Sequence, residues 1–349
     1  MGTSSGTLRA AVVGVGHLGR HHARLMAEVP GVELAAVVDA REAQARAVAE
    51  PLGVPALTYV AAVPDDVRVA SVAVPTSLHH EVVCALLERG VHVLVEKPMA
   101  ATLEEARSMA QLAADRGLVL HVGHVERFNP ALAVLADMDL SPRFIEAHRL
   151  APFTYRALDT SVVMDLMIHD IDIVMDLAGA PLARVDAVGS HVLGRHTDLA
   201  NARLSFENGC VANLTASRVS FEPMRRTRLF GADTFVSLDF GSRRAFIVTK
   251  APGFDIGSLG PDSAGAFEPK ASFREFLEQG LMTLREVDMD GELNPLAEEL
   301  RTFVAAVRVQ DGSDAPTARP VRGAEATDGL RAMEVALAIT DQIAGHRWD

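Results

Sequence analysis

The strongest constraint on the fold is a regular alternation of two kinds of segment over residues 8–124. Short β-branched apolar runs of strand length alternate with longer segments whose apolar residues recur every three or four positions, as on one face of a helix. The strand-like runs cover residues 10–15, 32–38, 69–74, 91–95 and 118–122. This alternation predicts an α/β Rossmann domain, in which helices cover a doubly wound parallel sheet.

The pattern changes after residue 124, where an apolar helix is expected near 160–178 and strand-like runs with turn signals follow it. These runs cover residues 183–193, 199–206, 210–219, 226–230, 233–240 and 244–249. Consecutive strands joined by hairpin turns favour an α+β domain with a large, open, mainly antiparallel sheet. The Gly- and Pro-rich stretch 251–270 is predicted to be an exposed connection.

We therefore predict an NAD-binding domain over residues 1–124 and a substrate-binding and oligomerisation domain over residues 125–349. A chain of 349 residues is long enough for two hydrophobic cores. Amphipathic helices are expected at 294–308 and 324–344, and both are candidates to pack back on the first domain.

Composition and charge limit the kinds of partner and ligand that this chain can bind. The net charge of −13 is spread along the chain and repels polyanions, so no nucleic acid is expected as a partner. Cys84 and Cys210 have neither the number of a disulfide framework nor the spacing of a metal site, and no metal is expected. The sequence shows no secretory leader and no run of about 18 apolar residues, which predicts a cytoplasmic protein without a membrane contact.

A glycine pattern over residues 14–19 marks a candidate phosphate-binding loop, because it follows the first apolar run and precedes a helical segment. Glycines permit the tight turn and the close approach of a pyrophosphate, and the following helix N-terminus offers N–H groups. The alternative is a glycine-rich turn that only joins a strand to a helix. The residues expected to bind the cofactor here are Gly14, Val15, Gly16, His17 and Leu18.

Asp39 ends the second apolar run and lies 20 residues after Gly19, where an acid can accept both hydroxyls of a ribose. A carboxylate at this position repels a 2′-phosphate, which favours NAD over NADP. Arg41 lies just beyond the strand and keeps NADP open, since an arginine there can accommodate the phosphate. A solvated strand-end residue or a helix N-cap is the alternative role for Asp39.

Two further groups of residues are suited to redox chemistry. Glu96-Lys97-Pro98 ends the apolar run at 91–95, where ligands bind in parallel sheets, and a lysine beside a cofactor can stabilise an alkoxide. Asp165 and His169 lie four positions apart on the expected helix and project from one face, as a general base and its orienting carboxylate would. The alternatives are a surface Glu-Lys pair and a salt-bridge cluster on the helix.

Taken together, the motifs of this chain resemble those of the glucose-fructose oxidoreductase and inositol dehydrogenase family, Gfo/Idh/MocA. The resemblance covers essentially the whole chain, and its motifs are GVGHLG, PTSLHHEVVCALLERGVHVLVEKP, GHVERFNP, MDLMIHDIDIV and NPLAEELRTFVAAVR. It implies an oxidoreductase with a Rossmann domain, followed by an open sheet through which the protein forms a homodimer or homotetramer.

The resemblance also implies roles for individual residues. His169 would take a hydroxyl proton while hydride leaves for the nicotinamide, Lys97 would stabilise the developing oxyanion, and Asp165 would orient the substrate or His169. Further cofactor contacts are implied for Pro75, Thr76, His79, Glu96 and Lys97. Further substrate contacts are implied for Arg127 and Arg156, with Arg149 and the arginines of residues 225–228 as candidates for a diphosphate.

The segments HVERFNPA and YRALDTSVVMDLMIHDIDIV are similar to the branch of this family that oxidises the 3-hydroxyl of UDP-N-acetylglucosamine for lipid A or surface-glycan synthesis. The chain departs from many family members at residues 159–163, which read DTSVV where those members have a glycine pair. Two alternatives stay open: a dehydrogenase of inositol or another free sugar from the same family, and a dinucleotide-binding regulator without turnover.

Overall fold

A computed structural model describes residues 6–136, 138, 140–154, 160–253, 280–289, 293–313 and 322–346. The chain forms two compact units: the first comprises residues 1–129, 171–173 and 292–340, and the second comprises residues 130–170, 174–291 and 341–349. The helix expected at 294–308 and most of the one expected at 324–344 therefore belong to the first unit. The boundary at residue 124 stays a prediction, and most of the stretch 251–270 lies outside the described residues.

The first unit is built on a seven-stranded sheet. Its strands are β1 (Leu8–Val13), β2 (Val32–Val38), β3 (Ala56–Leu57), β4 (Val69–Val72), β5 (His92–Glu96), β6 (Leu120–Gly123) and β15 (Ala324–Glu325). Its helices are α1 (Gly19–Ala27), α2 (Glu42–Leu52), α3 (His79–Glu88), α4 (Leu103–Asp115), α7 (Pro295–Gln310) and the greater part of α8 (Ala326–Gly345). Single 3₁₀ turns cover residues 60–62, 76–78 and 125–128.

The strand order of this sheet is β15-β6-β5-β4-β1-β2-β3, and all pairs are parallel except the pair of β15 with β6 at one edge. The residues of β4 are buried throughout, and those of β1 and β2 are buried over most of their length. Strands buried on both faces read as continuous apolar runs, which is why their sequence signal is strong. The predicted Rossmann sheet is confirmed.

Helices α1 and α7 pack in one hydrophobic cluster with the strands of this sheet. Met26 of α1 and Phe303 of α7 are fully buried members of the cluster, together with Val12 and Val37. The N-terminal end of α4 is fixed by a capping box, in which Thr102 and Glu105 each accept a hydrogen bond from the other's backbone N–H. The helices thus form part of the parallel-sheet core.

The second unit contains an eight-stranded sheet. Its strands are β7 (Phe144–Leu150), β8 (Leu182–Ser190), β9 (Leu199–Phe206), β10 (Val211–Ser217), β11 (Met224–Phe230), β12 (Thr234–Asp239), β13 (Arg244–Lys250) and β14 (Met282–Asp288). The helical segments are α5 (Pro130–Ala133), a π-helical turn over Val163–Met167, and α6 (Ile168–Ala178), whose residues 171–173 belong to the first unit.

The strand order is β14-β13-β12-β11-β7-β10-β9-β8, and neighbours are antiparallel except β7 and β10. Alternate residues of these strands are buried, as on β10, where Ala212, Leu214 and Ala216 point to the covered face. The predicted large, mainly antiparallel sheet is confirmed, although strands β7 and β14 were not predicted. No helix in the described ranges is long and apolar enough to cross a membrane.

Candidate active site

The glycine loop joins β1 to α1 and lies against the segment that follows β4. Gly14 has a φ of +82°, and a Cβ atom on it would lie 2.6 Å from the backbone nitrogen of Val74. A side chain is therefore excluded at this position by both conformation and space. A Cβ atom on Gly16 would meet no described heavy atom within 4 Å. The loop is thus tightly packed at its first glycine and open at its second.

Asp39, at the end of β2, holds this loop directly. Its Oδ2 accepts a hydrogen bond from the Val15 N–H at 3.1 Å, and its Oδ1 accepts one from the Arg41 N–H at 3.0 Å. The exposed Arg41 guanidinium places its Nε 3.5 Å from Asp39 Oδ1. Gln44 donates to the Val15 carbonyl at 2.8 Å, so the two peptide groups of Val15 are held by two side chains of the β2–α2 region.

The remaining residues predicted near the loop differ in exposure. His17 is exposed, and Leu18 is 51% exposed although it is apolar. Pro75 and Thr76 follow β4 and open the 3₁₀ turn at 76–78. The glycine loop, the end of β2 and the segment after β4 therefore lie at one edge of the parallel sheet, where ligands bind in such folds.

Glu96 is the last residue of β5, and the Lys97–Pro98 peptide bond that follows it is cis. Glu96 Oε1 lies 3.0 Å from Nε2 of His22, a residue of α1 that is only 1% exposed. On its other side, the His22 ring contacts the Ser71 hydroxyl, with Nδ1 and Oγ 2.7 Å apart. The turn that carries Lys97 is thus connected to α1 and β4 through buried polar side chains.

His79 was predicted to contact the cofactor, but the structure buries it. Its ring is 1% exposed, with Nδ1 3.0 Å from the Pro98 carbonyl oxygen and Nε2 3.0 Å from the Val74 carbonyl oxygen. Both ring nitrogens therefore face backbone oxygens of this unit. This geometry gives His79 a structural role between the ends of β4 and β5 and offers no support for a direct cofactor contact.

Arg127, predicted at the substrate mouth, is also buried. Its Nε and Nη2 donate to the two carboxylate oxygens of Asp172 at 2.6 Å each, and its Nη1 lies 3.4 Å from Asp328 Oδ2. Burial lowers the pKa of His124, and the charge of Arg127 lowers it further, whereas Asp172 opposes the shift. Arg127 thus neutralises buried acids of the first unit, and this geometry does not support a substrate contact.

In the second unit, Asp165 and His169 are both partly buried. We expected one regular α-helix over 160–178, but Asp165 lies in the π-helical turn and His169 in α6. The four-residue spacing therefore spans a change of helix type, a local irregularity that is frequent at functional sites. Arg156 lies outside the described residues.

Arg149 and Arg228, two of the arginines named as candidates for a diphosphate, are paired with acids. Arg149, on β7, donates from Nε and Nη2 to the two oxygens of Asp170 at 2.9 and 2.8 Å, and both side chains are buried. Arg228 and Glu146 form an ion pair at 3.0 Å on neighbouring strands. These contacts favour structural roles for Arg149 and Arg228 within the sheet.

Comparison with known families decides the identity of the fold. The sequence matches the oxidoreductase family with an NAD-binding Rossmann fold over residues 8–124 and the GFO/IDH/MocA C-terminal domain over residues 138–236. The chain belongs to the Gfo/Idh/MocA family. The predicted family and the predicted class of enzyme, an oxidoreductase, are confirmed, which disfavours the alternative of a regulator without turnover.

Two named dehydrogenases are similar to this chain. UDP-N-acetylglucosamine 3-dehydrogenase of Acidithiobacillus ferrooxidans is 42% identical over 247 residues, which cover 70% of this chain and 78% of the relative. A solved structure of that enzyme has a TM-score of 0.80 and 34% identity, covering 97% of this chain and 98% of its own. The scyllo-inositol 2-dehydrogenase (NAD(+)) of Bacillus subtilis is 28% identical, covering 61% of this chain and 68% of the relative.

The first unit of this Gfo/Idh/MocA member fits a nicotinamide dinucleotide. The open side of the loop at Gly16 leaves room for a pyrophosphate, and the first turn of α1 has no acidic residue that would repel it. The Asp39 carboxylate lies at the end of β2, where the ribose of such a cofactor is bound. Loop, helix and acid are therefore placed as the family's cofactor requires.

Sequence reasoning missed His22, Ser71, Gln44 and Glu299 as parts of this region. A signal existed for His22, because it occupies the buried face of α1 together with Ala23 and Met26. A polar residue on the apolar face of a helix requires a polar partner. The same signal marks Glu299, which lies on the buried face of α7 with Leu300 and Phe303; burial raises the pKa of its carboxyl well above the usual value, and the charges of Glu96 and Asp172 raise it further.

Proposed function

We propose that this protein oxidises the 3-hydroxyl of UDP-N-acetylglucosamine with NAD as the hydride acceptor. The observation that carries the proposal is the 42% identity with the UDP-N-acetylglucosamine 3-dehydrogenase of Acidithiobacillus ferrooxidans over 78% of that enzyme. The agreement of the two folds over 97% of this chain supports it. The resulting 3-keto sugar would be a substrate for transamination in lipid A or surface-glycan synthesis.

The proposed mechanism uses three side chains of the chain. When bound, NAD supplies a nicotinamide ring that can take a hydride from the carbinol carbon. His169 acts as the general base that takes the hydroxyl proton, and Asp165 orients the substrate or the imidazole. Lys97 stabilises the negative charge that develops on the oxygen. The proposal requires Lys97 and His169 to act on the same carbinol.

NAD is preferred over NADP in this proposal because of Asp39. Its carboxylate receives hydrogen bonds from the Val15 and Arg41 amides, which hold it at the end of β2. A negative charge fixed there repels the 2′-phosphate of NADP. Arg41 lies 3.5 Å from the same carboxylate, so its charge is directed toward Asp39.

The proposal is tested by incubating the purified protein with NAD or NADP and a panel of substrates, with a keto acid present to recycle tightly held NADH. We expect turnover with UDP-N-acetylglucosamine and NAD, and little with myo-inositol, scyllo-inositol or NADP. Lys97→Met and His169→Asn should each reduce kcat by about 100-fold or more. Lys250→Met and His191→Asn are the matched controls, since Lys250 forms a surface ion pair with Asp233 and His191 is exposed.

The possible results distinguish the proposed substrate, catalytic residues and cofactor from their alternatives. Turnover of inositols without turnover of nucleotide sugars would replace the substrate with a free polyol, which the similarity to the scyllo-inositol dehydrogenase makes the second candidate. Activity with nucleotide sugars that survives both substitutions would refute the roles of Lys97 and His169. NADP-linked turnover equal to NAD-linked turnover would refute the role of Asp39.

We also propose that the protein forms a homodimer or homotetramer through the open face of the antiparallel sheet. Phe246 and Leu284 are 37% and 47% exposed, and the register of β13 and β14 places both on one face of the sheet. Exposed apolar side chains on one sheet face favour association with another protein surface. Light scattering should give a dimeric or tetrameric mass, and Leu284→Glu should lower it; a monomeric wild-type protein would refute the proposal.

A further inference from the structure

We infer that two buried histidines, His22 and His79, are positioning residues that hold the Glu96-Lys97-Pro98 turn from two sides. Both are 1% exposed, and neither belongs to the set of residues proposed to touch substrate. His22 reaches the turn through the Glu96 carboxylate, and His79 reaches it through the Pro98 carbonyl. The inference rests on the proposed function only where it concerns turnover.

The contact of His22 with Glu96 is held by its other ring nitrogen. Nδ1 lies 2.7 Å from the hydroxyl of Ser71, which is fully buried on β4. This short contact fixes the ring plane and directs Nε2 toward Glu96 Oε1, 3.0 Å away. The two ring nitrogens of His22 therefore face polar atoms on two different strands, Ser71 of β4 and Glu96 of β5.

Glu96 has little freedom to move away from this contact. A Cβ atom on Gly123 of the neighbouring strand β6 would lie 3.1 Å from the Glu96 carboxyl carbon and from Oε1. The absence of a side chain at Gly123 therefore gives the Glu96 carboxylate its space. Because Lys97 is bonded to Glu96, displacement of this carboxylate also changes the backbone from which the lysine extends.

His79 restrains the turn on the side of Pro98. Its Nδ1 lies 3.0 Å from the Pro98 oxygen and 3.3 Å from the Met99 oxygen, while its Nε2 lies 3.0 Å from the Val74 oxygen. One imidazole therefore ties the segment after β5 to the segment after β4. The second of these segments also borders the glycine loop, because Gly14 packs on Val74.

Each histidine has a matched neighbour for an experiment. His21 precedes His22 on α1 but is exposed. His80 follows His79 on α3 and is partly exposed, with its Nε2 3.4 Å from the Ser108 hydroxyl. The two substitutions available at position 22 also differ in geometry. Glutamine places an amide donor near the position of Nε2 and preserves a contact with Glu96, whereas asparagine reaches only as far as Nδ1 and preserves the contact with Ser71.

The kinetic experiment compares His22→Asn, His22→Gln, His79→Asn, His21→Asn and His80→Asn in the full-length protein. Loss of a group that orients a metal ligand typically reduces activity by about 10- to 100-fold, and we take the same range for a group that orients Lys97. We expect a fall of that size in kcat for His22→Asn and His79→Asn, with KM and the Kd for NADH within about twofold of wild type. His22→Gln should recover most of the loss, and the His21 and His80 variants should behave as wild type.

A second measurement does not depend on turnover. The chain has only three lysines, Lys97, Lys250 and Lys270, so ¹³C-dimethylation of the protein gives few lysine signals in an NMR spectrum. We expect His22→Asn and His79→Asn to shift the Lys97 signal and leave that of Lys250 in place. His21→Asn and His80→Asn should move neither signal.

The outcomes are distinguishable. Equal kcat values for the Asn and Gln variants at position 22, or an unmoved Lys97 signal in both the His22 and His79 variants, would overturn the inference. If the wild-type protein turns over no sugar, the proposed function fails, and the Lys97 signal still decides whether the histidines position the turn. If His22→Asn does not fold, Ser71→Ala tests the same contact and should shift the Lys97 signal in the same direction.

Discussion

The two units differ in the histidines that they bury. The first unit buries five histidines, each less than a tenth exposed: His22, His79, His92, His121 and His124. The second unit buries no histidine among its described residues. Buried Arg–Asp pairs occur in both units: Arg127 with Asp172 in the first, and Arg149 with Asp170 and Arg218 with Asp198 in the second. Burial lowers the pKa of His92, His121 and His124, which disfavours their charged form in the fold, whereas a guanidinium stays charged at every working pH.

This difference predicts two kinds of sensitivity. A buried imidazole that is neutral in the fold becomes unfavourable on acidification, because the unfolded chain binds the proton more readily. A buried Arg–Asp pair is little affected by mild acid, but the removal of one partner leaves an unpaired charge in the interior. The first unit should therefore respond to pH through its buried histidines, whereas the second, which buries none among its described residues, should respond mainly to the loss of one member of a pair.

The largest effect is expected from breaking the pair on β7. Arg149→Met removes the guanidinium that donates two hydrogen bonds to the buried Asp170 carboxylate. Loss of one partner of a buried pair costs about 3–5 kcal/mol. We expect the free energy of unfolding to fall by that amount. Calorimetry or denaturant unfolding followed by circular dichroism measures the change.

Two variants give this prediction its controls. The double substitution Arg149→Met with Asp170→Leu removes both charges and should recover most of the lost stability. Arg228→Met removes a half-exposed partner of Glu146 in the same sheet and should cost about 1 kcal/mol or less. A single Arg149 variant as stable as the double one would contradict the prediction.

The next largest effect concerns His121 in the first unit. Burial, assisted by the positive charge of Arg127, lowers the pKa of His121 to about 4, from an ordinary value of 6.5. Between these two pH values the unfolded state binds the proton and the folded state does not, so stability falls as pH decreases from about 6.5 to about 4. The full shift corresponds to about 3 kcal/mol, which is the stability lost over this window.

His121→Gln should reduce this acid sensitivity, because glutamine does not titrate. The measurement is the free energy of unfolding as a function of pH for wild type and variant, whose difference should change by about 3 kcal/mol between pH 7 and pH 4. His80→Gln, on the partly exposed side of α3, should leave the pH profile unchanged. Parallel profiles for wild type and His121→Gln would show that His121 is not a source of acid sensitivity.

The strands that were predicted and those that were missed differ for a physical reason. Strand β2 was predicted with its observed bounds because six of its seven residues are apolar. Strand β7 was missed because its sequence, FIEAHRL, places Arg149 at an inward position that is buried only through its pair with Asp170. Strand β14 was missed because most of its residues are exposed, so no face of it reads as apolar.

The residues of the candidate site also differ in whether local sequence predicts them. The glycine loop, Asp39 and the Glu96-Lys97-Pro98 turn were predicted because each follows a recognisable apolar strand, and their positions depend only on local sequence. The contacts of His22 with Ser71 and Glu96 join residues 49 and 74 positions apart, and only the packed sheet brings them together. Local patterns therefore predict what lies at a strand end, whereas they do not predict which buried side chains support it.

The smallest effect is expected for Glu299, and its sign is opposite to that of His121. Burial raises the pKa of this carboxyl well above its usual value, and the charges of Glu96 and Asp172 add to the rise. The unfolded state therefore loses the proton at a lower pH than the folded state, so the group lowers stability as pH rises above about 4.5. Glu299→Gln removes this penalty, because a neutral amide occupies nearly the same volume.

We expect Glu299→Gln to increase the free energy of unfolding near pH 8 and to change it little or not at all near pH 4, because the penalty arises only where the unfolded state has lost the proton. Glu298→Gln, the neighbouring acid on the more exposed side of α7, is the matched control and should not show this pH dependence. The comparison is decisive because both carboxyl oxygens of Glu299 are buried without a hydrogen-bond partner in the described structure, whereas Glu298 pairs with Arg301. If Glu299→Gln is destabilised equally at both pH values, the prediction is wrong, because the carboxyl must then be ionised and paired in the folded protein. Position 299 of the first unit would in that case resemble Asp170 of the second unit, which pairs with Arg149.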